Sequence, residues 1–134
     1  MKIVLAAGCF DVLHPGHVRH LQEARSMGDF LIVALTLDEF VNKGPGRPIH
    51  GWENRAFLLR SLRCVDHVIA AADGVDTILQ VRPAIFVKGM DWSYRPVPGN
   101  IVEACKMAGT EIRFTNTPKM SSTEIVGRLR VLPS

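Results

Sequence analysis

The chain has 134 residues, of which 47% are hydrophobic and 22% are charged. This balance is ordinary for a globular protein and excludes intrinsic disorder and a fibrous repeat. Sixteen Lys and Arg against thirteen Asp and Glu leave a net charge of +3, which suits a small anionic ligand and is too weak to predict a nucleic-acid partner. The length predicts one domain, residues 1–134, because domains commonly contain about 100–200 residues.

Cysteine usage and hydropathy indicate the compartment. Cys9, Cys64 and Cys105 are widely spaced and form no C-x-x-C pair, so we expect neither a disulfide framework nor a thiolate zinc site. The apolar run at the start is shorter than a signal-peptide core, and no run reaches the ~18 apolar residues of a membrane span. These features predict a cytoplasmic protein with no membrane partner.

Short apolar strands alternate with helical patterns along the chain. The predicted strands are Ile3–Ala7, Phe30–Thr36, His67–Ala72, Ala84–Val87 and Glu111–Thr115. The predicted helices run from Pro15 to Gly28 and over Glu53–Leu62, Val75–Val81, Ile101–Ala108 and Ser121–Leu129, with a short one over Leu37–Asn42. This order predicts an α/β fold, a single Rossmann-like domain whose five-stranded parallel sheet has helices on both faces. Ligands bind such sheets beyond the carboxyl ends of the strands, which points to the loops after strands one, four and five.

Residues 43–52 are rich in Gly and Pro and predict a loop. A domain linker is the alternative, but neither flank would then have an ordinary domain size. We interpret the segment as a mobile functional loop. The helix after it is predicted to turn an apolar face inward (Phe57, Leu58, Leu62) and to keep basic residues outside or at its end (Arg55, Arg60, Arg63).

The segment after the first strand, GCFDVLHPGH, contains two histidines at the start of a helix. His14 precedes a proline and is therefore expected to be extended, whereas His17 lies in the first turn beside unpaired backbone N–H groups. Two imidazoles at a helix N-terminus predict an anion site, and Gly16 leaves room for a phosphate. Zinc is an alternative, but His20 is the only nearby further donor. Two surface histidines are the other alternative, and the strand–turn–helix context favours the anion site.

Two further segments lie at predicted strand ends. Lys119 and the Ser121–Thr123 hydroxyls open the last helix, where they predict either a phosphate contact or plain helix capping. After the fourth strand, Gly89 permits a backbone wall against a flat base, and Asp91 can accept a hydrogen bond from base or ribose.

These motifs resemble a known family. GCFDVLHPGH is similar to the H-x-G-H signature of the cytidylyltransferase-like nucleotidyltransferases, and GRPIHGWENR, LRCVDHVI, FVKGMDW and KMSSTEIVGRL have counterparts in the same order. The resemblance covers nearly the whole chain. It is strongest to two subfamilies, the heptose-phosphate nucleotidyltransferase (ADP-heptose synthase) domain and glycerol-3-phosphate cytidylyltransferase.

The resemblance implies transfer of a nucleoside monophosphate from an NTP, ATP or CTP, to a sugar- or polyol-phosphate with release of pyrophosphate. Mg²⁺ or another divalent cation would accompany the nucleotide, and family members often form homodimers. Heptose-1-phosphate adenylyltransferase-like activity is the favoured interpretation. The alternatives are glycerol-3-phosphate cytidylyltransferase, which Arg63 matches better, and a non-catalytic nucleotide-binding module.

The resemblance also assigns roles to residues. The catalytic residues are predicted to be His14, His17, Lys43 and Lys119, and no protein metal ligand is assigned. The nucleotide-binding residues are predicted to be Gly8, Cys9, Phe10, Asp11, Gly16, Gly89, Asp91, Ser121, Ser122 and Thr123, and the acceptor-binding residues Arg55 and Arg63. Asn116 stands near the place of an arginine frequent in the family, and whether Lys119 supplies that charge stays open.

Overall fold

The computed structural model describes residues 1–89, 96–116 and 126. The strands are β1 (Ile3–Gly8), β2 (Phe30–Thr36), β3 (His67–Ala71), β4 (Ile85–Lys88) and β5 (Glu111–Phe114). The described helices are α1 (Pro15–Ser26), α2 (Trp52–Arg60), α3 (Gly74–Val81) and α4 (Gly99–Ala108), with a 3₁₀ turn at Asp38–Phe40. The predicted helix over Ser121–Leu129 lies outside the described residues apart from Val126, which is helical and buried.

The five strands form one parallel sheet in the order β3-β2-β1-β4-β5. The chain moves outward from β1 through β2 to β3, and then crosses to the other side of β1 to form β4 and β5. The strand order therefore reverses between β1 and β4, and the crevice above their carboxyl ends is the place where such sheets bind ligands. This topology confirms the predicted Rossmann-like fold and puts the two-histidine segment beside that crevice.

Consecutive residues of a strand point to opposite faces of the sheet. Both faces carry apolar side chains here, and helices cover both. Val4 and Ala6 of β1 belong to the core that contains Leu21 of α1 and Leu59 of α2. Leu5, between them, belongs to the second core. That core also contains residues of α3 and α4, including Ile78, Ile101 and Ala104. The strands are consequently apolar on both faces, which explains their uninterrupted hydrophobic runs.

Helix α2 is rotated relative to the sequence prediction. Its buried residues are Arg55, Ala56 and Leu59, whereas Phe57 is 69% exposed and Leu58 is exposed as well. The predicted inward face is therefore wrong for Phe57 and Leu58, because the apolar pattern gave no weight to Arg55, whereas Leu62 packs against the core as predicted. The guanidinium of Arg55 meets four acceptors near the strand ends, and that orientation leaves the neighbouring Phe57 in solvent. Across the part of the chain that is described, no helix is long and apolar enough to cross a bilayer.

Candidate active site

The site is built around a reciprocal contact between His14 and His17 at the start of α1. His14 is the extended N-cap residue, with φ −143° and ψ 171°, as the following proline predicts. Its Nδ1 accepts the backbone N–H of His17 at 3.4 Å, and Nδ1 of His17 accepts the backbone N–H of His14 at 3.3 Å. The two rings stack with centroids 3.7 Å apart and planes 20° apart.

This contact fixes the proton positions on both rings. An imidazole nitrogen that accepts a hydrogen bond carries no proton, so a neutral ring with Nδ1 as acceptor carries its proton on Nε2. Burial lowers the pKa of His17 to about 3, and the nearby charges of His14, Lys43 and His20 act in the same direction. His17 is therefore neutral at pH 7, with its proton on Nε2 and its ring stacked on that of His14.

Phe10 packs against the His17 ring, and Gly8 leaves room for the Phe10 ring. Phe10 adopts a left-handed backbone with φ 47°, and its buried ring meets His17 edge-on at a centroid distance of 5.1 Å. A Cβ at Gly8 would lie 3.0 Å from the Phe10 ring, so a larger residue there would press on the ring and displace it by a few tenths of an ångström. The Phe10 ring belongs to the core, and the nucleotide contact of Phe10 stays a prediction.

Asp11 fastens the loop of residues 43–52 to the segment after β1. Its fully buried carboxylate accepts hydrogen bonds from the backbone N–H groups of Ile49 at 2.6 Å and His50 at 2.9 Å. It also pairs with Nε of Arg47 at 3.1 Å, while Nη2 of Arg47 donates to the Asp11 carbonyl. Burial opposes ionisation of Asp11, but the donors from His50, Ile49 and Arg47 outweigh it and hold its pKa below the usual range. The predicted nucleotide contact of this carboxylate is therefore corrected, since its oxygens are engaged by the loop.

Arg55 joins the same loop to the ends of β1 and β2. Its Nη1 donates to the carbonyls of Cys9 and Thr36, both at 2.9 Å, and its Nε donates to the His50 carbonyl at 2.9 Å. Its Nη2 pairs with Asp38 at 2.5 Å. The side chain is buried, whereas the sequence predicted an exposed arginine that holds the acceptor phosphate. The geometry instead makes Arg55 a support of the site, and the sequence pointed to neither Asp38 nor the His50 carbonyl as its partners.

Arg63 lies away from this site. It is exposed and follows the end of α2, three residues before Asp66. The Asp66 carboxylate accepts the N–H of Leu31 at the start of β2, so this stretch lies at the amino ends of the strands. The candidate site lies at the opposite, carboxyl edge. The predicted role of Arg63 in holding the acceptor is therefore corrected for a site made by one chain.

The other predicted residues that the structure describes lie around the histidines. Lys43 is partly buried, and burial lowers its pKa, with Arg47 and Arg55 lowering it further against the opposing influence of Cys9 and Asp11. Gly16 is buried in the first turn of α1, where backbone N–H groups lack intrahelical partners. Gly89 directly follows β4, across the switch point. The predicted residues Asp91, Lys119, Ser121, Ser122 and Thr123 lie outside the described residues.

A separate cavity of about 250 Å³ opens beside these residues at the carboxyl ends of β1, β2 and β3. Its lining includes Cys9, Thr36 and Phe40 on one side and Asp73, Gly74 and Thr77 of the α3 start on the other. Cys9 thus borders both the cavity and the two-histidine segment. The sequence did not predict this cavity, because it forms only when residues of β1, β2, β3 and β4 and the start of α3 come together.

A divalent cation finds no protein cage in the described ranges, where no group of three or more His, Cys, Asp and Glu side chains is placed to hold a metal. Asp11, the nearest buried carboxylate to the histidines in sequence, is engaged by Arg47 and two backbone N–H groups.

The switch-point crevice and the paired histidines at a helix start define a nucleotide-binding α/β protein of the H-x-G-H class. The chain belongs to the cytidylyltransferase-like family, whose family model matches residues 5–128. This membership confirms the family resemblance of the sequence motifs.

Curated relatives and solved structures agree with this assignment. The chain is 44% identical to the bifunctional protein HldE of Pseudomonas fluorescens, over 96% of the chain and 28% of that protein. It is 43% identical to HldE of Helicobacter acinonychis, over 82% of the chain and 25% of that protein. The chain thus spans little more than a quarter of these relatives.

Among solved structures, the lipopolysaccharide core biosynthesis protein of Thermoplasma volcanium superposes with a TM-score of 0.72 at 27% identity, covering 90% of this chain and 99% of that one. A pantothenate synthetase of Thermus thermophilus superposes with a TM-score of 0.62 at 15% identity, covering 94% and 61%. The second likeness shows the fold alone.

Proposed function

We propose that this chain transfers a nucleoside monophosphate from an NTP to a phosphorylated sugar and releases pyrophosphate. The observation that carries the proposal is the reciprocal His14–His17 contact at the N-terminus of α1. It sets the Nε2–H donor of neutral His17 beside the ring of His14 at the switch point of a cytidylyltransferase-like fold.

In the chemical step, an ionised oxygen of the acceptor phosphate attacks the α-phosphorus of the NTP. A new oxygen–phosphorus bond forms as the bond between the α-phosphorus and the bridging oxygen breaks, and that oxygen leaves with pyrophosphate. Negative charge grows on the non-bridging and leaving oxygens, and preorganised donors stabilise it. The Nε2–H groups of His14 and His17 and the backbone N–H of Gly16 are suited to this task. Because the nucleophile is already ionised, no general base and no covalent enzyme intermediate are needed.

Positive charge from the protein is needed mainly beside the β- and γ-phosphates of the NTP. Among the described residues, we assign this role to Lys43. Its charge lowers the pKa of His17, and Asp11 binds two backbone N–H groups of the loop that carries it. Lys119, outside the described residues, is proposed as a second cation for the same phosphates. A divalent cation, Mg²⁺ in this proposal, would enter with the triphosphate and neutralise its oxygens.

The cavity beside Cys9 is the proposed position of the acceptor. It lies at the ends of β1–β3, next to the crevice between β1 and β4 where the nucleotide would lie. One wall of the cavity, at Asp73 and Gly74, is the start of α3 and suits hydroxyl groups of a ligand. The wall at Phe40 is apolar and suits a carbon skeleton. The two substrates would then meet over the end of β1.

Heptose-1-phosphate with ATP is the favoured pair. The chain is 44% identical to a protein named HldE, and a 27% identical structural neighbour is named a lipopolysaccharide core biosynthesis protein. Lipopolysaccharide cores are built from sugars, which supports a sugar phosphate over a polyol phosphate. Arg63, the residue that favoured glycerol-3-phosphate, is remote from the site. A cytoplasmic location and a homodimer stay predictions.

The test is a matrix of four NTPs against heptose-1-phosphates, hexose-1-phosphates and glycerol-3-phosphate, read by pyrophosphate release. We expect the highest kcat/KM for ATP with a heptose-1-phosphate. Turnover of CTP with glycerol-3-phosphate alone would identify the alternative enzyme. Nucleotide binding without turnover of any pair would identify a non-catalytic module and contradict the proposal.

A further inference from the structure

Phe40 places an aromatic ring at the edge of the cavity beside Cys9. It ends the 3₁₀ turn after β2, lines the cavity and is 51% exposed. Exposure alone does not distinguish Phe40, because Phe57 of α2 is 69% exposed and is not among the described residues that line this cavity. The position of Phe40 does distinguish it, since a ligand in the cavity would cover apolar surface that water now contacts.

The order of the strands gives this cavity a direction. Asp73 follows β3, Phe40 follows β2 and Cys9 follows β1, and the three strands are neighbours in that order. Leu5 and Phe86, which are paired in β1 and β4 and almost fully buried, also belong to the lining and make an apolar bottom. From Cys9 the chain continues to the start of α1. The cavity therefore runs from the start of α3 toward the two-histidine segment.

Backbone hydrogen bonds hold the Phe40 wall in a fixed relation to the Asp73 wall. The N–H of Leu37, just before the turn, donates at 3.0 Å to the carbonyl of Ala71, the last residue of β3. The N–H of Phe40 in turn donates to the Leu37 carbonyl at 3.0 Å. The ion pair of Asp38 attaches the same turn to α2. A wall that is already ordered loses little entropy when a ligand binds, so its contacts contribute fully to affinity.

The α3 end of the cavity disfavours a phosphate. A helix N-terminus ordinarily attracts anions, but here the Asp73 carboxylate caps α3 and accepts the N–H of Asp76 at 3.0 Å. Asp76 adds a second acidic group in the first turn. A carboxylate offers about four acceptor positions, so the exposed Asp73 can still accept hydrogen bonds from sugar hydroxyls. A phosphorylated ligand is thus oriented with its phosphate at the other end, toward the start of α1.

We propose that the acceptor binds with its hydroxyls toward Asp73, its carbon skeleton against the Phe40 ring and its phosphate toward the start of α1, and that Phe40 makes the site select a sugar ring over a short polyol. The proposal rests on the proposed function and deepens it. The cavity of about 250 Å³ is smaller than the ~300–1,000 Å³ of sites for drug-sized ligands, which suits one sugar ring. A sugar ring presents a face of C–H groups that can cover the aromatic ring, whereas glycerol-3-phosphate covers less of it.

Phe40→Ala tests the aromatic wall, and Phe57→Ala is its matched control. We expect Phe40→Ala to raise KM for heptose-1-phosphate about four- to twentyfold, as for a ligand that covers about half of a Phe side chain. The kcat should stay nearly constant, because the contact is made equally in the ground state. Phe40→Tyr keeps the ring and should keep this KM within about twofold. Phe57→Ala should leave the kinetics unchanged.

Two further measurements show whether the effect is specific to the sugar. KM for the NTP should change by less than about twofold in Phe40→Ala, because Phe40 follows β2, on the side of β1 away from β4. Inhibition by glycerol-3-phosphate should also change by less than about twofold, since the short polyol makes little contact with the ring.

Asp73→Asn tests the hydroxyl end of the cavity. Asparagine caps helices about as well as aspartate, so the melting temperature should not change. We expect KM for heptose-1-phosphate to rise about three- to tenfold, because a hydroxyl bonds more weakly to an amide than to a carboxylate.

Several results would overturn the proposal. They are an unchanged KM for heptose-1-phosphate in Phe40→Ala, an equal rise in Phe57→Ala, and equal rises in KM for the acceptor and the NTP. A loss of glycerol-3-phosphate inhibition as large as the loss of heptose-1-phosphate affinity would remove the selection of a sugar ring. An unchanged acceptor KM in a stable Asp73→Asn protein would contradict the orientation.

The proposed function has its own point of failure. If the unmodified protein turns over no sugar phosphate, the proposed function fails, and the acceptor orientation is then judged by calorimetric binding of heptose-1-phosphate. Weaker binding by Phe40→Ala and Asp73→Asn than by Phe57→Ala supports the proposal. Equal binding by the three variants, or no binding by the unmodified protein, overturns it.

Discussion

Asp11 and Arg47 are 36 residues apart in sequence and form an ion pair of 3.1 Å whose side chains are 0% and 2% exposed. Asp11 lies between β1 and α1, and Arg47 lies in the glycine- and proline-rich loop that carries Lys43. The pair therefore attaches the loop to the segment that presents His14 and His17. A buried pair of this kind loses much stability when one partner is removed, because the remaining charge stays buried without compensation.

Arg47→Met should lower the free energy of unfolding by about 3–5 kcal/mol, since it leaves the Asp11 carboxylate without its guanidinium partner. Urea denaturation measures this loss. The double variant Asp11→Asn/Arg47→Met should be less destabilised than the sum of the two single variants. Arg63→Met, at an exposed position, is the control and should change stability by no more than about 0.5 kcal/mol. A loss from Arg47→Met no larger than this control would contradict a buried, energetically coupled pair.

His17→Ala should lower kcat by about a hundredfold or more, because it removes an Nε2–H donor aimed at charge that develops in the transition state. Steady-state pyrophosphate release measures the effect. His17→Gln, whose amide nitrogen reaches near the Nε2 position, should recover part of the loss. Near-normal turnover in a folded His17→Ala protein would remove His17 from the catalytic residues.

Acid should destabilise the protein through His17. The folded state holds the pKa of His17 at about 3, below its ordinary value of 6.5, so the unfolded chain binds a proton that the folded chain does not. The stability due to neutral His17 is complete above the unfolded value and is lost as the pH falls from there toward the folded value. The loss amounts to about 2 kcal/mol between pH 7 and pH 5. Unfolding curves of the unmodified protein and His17→Asn at both pH values measure it, and identical pH dependence in the two would contradict the buried neutral ring.

Lys43→Ala should raise KM for the NTP and lower kcat together, as expected when a loop cation closes on phosphates. Burial lowers the pKa of Lys43, so its positive charge is lost as the pH rises toward that lowered value. Lys43→Arg keeps its charge at all working pH values and should therefore move the alkaline decline of activity to higher pH. A pH–rate profile measures the shift. An unaltered profile in Lys43→Arg and unaltered kinetics in Lys43→Ala would show that Lys43 does not bind the NTP.

Arg55→Lys separates a supporting role from a substrate-binding one. Lysine cannot reach the four acceptors that Arg55 satisfies, and each buried carbonyl left without a donor costs about 1–3 kcal/mol. We expect a clear fall in the melting temperature, with KM for the acceptor and KM for the NTP affected alike. Arg63→Lys should alter neither. A selective rise in the acceptor KM of a normally stable Arg55→Lys protein would restore Arg55 as an acceptor ligand.

The sequence by itself determined the α/β class and the described strands and helices within a few residues, and it predicts an anion site at the start of α1. These features follow from local chemistry. Strands buried on both faces are apolar throughout, His14 before a proline is extended, and a helix start exposes backbone N–H groups. The family motifs added the order of the functional segments, since they depend on residues adjacent in sequence.

Only the tertiary structure decided which charged residues face a ligand. In sequence, Arg47, Arg55 and Asp11 resemble solvent-exposed or ligand-binding groups. Most of their hydrogen-bond partners, however, lie 17 to 46 residues away. The same holds for the stacked contact between His14 and His17 and for the cavity beside Cys9. Local patterns specify helices and strands, whereas desolvation and hydrogen-bond partnership depend on which strand ends meet. Two of the sixteen Lys and Arg side chains, Arg47 and Arg55, are thus paired inside the fold with Asp11 and Asp38 rather than turned toward an anionic ligand.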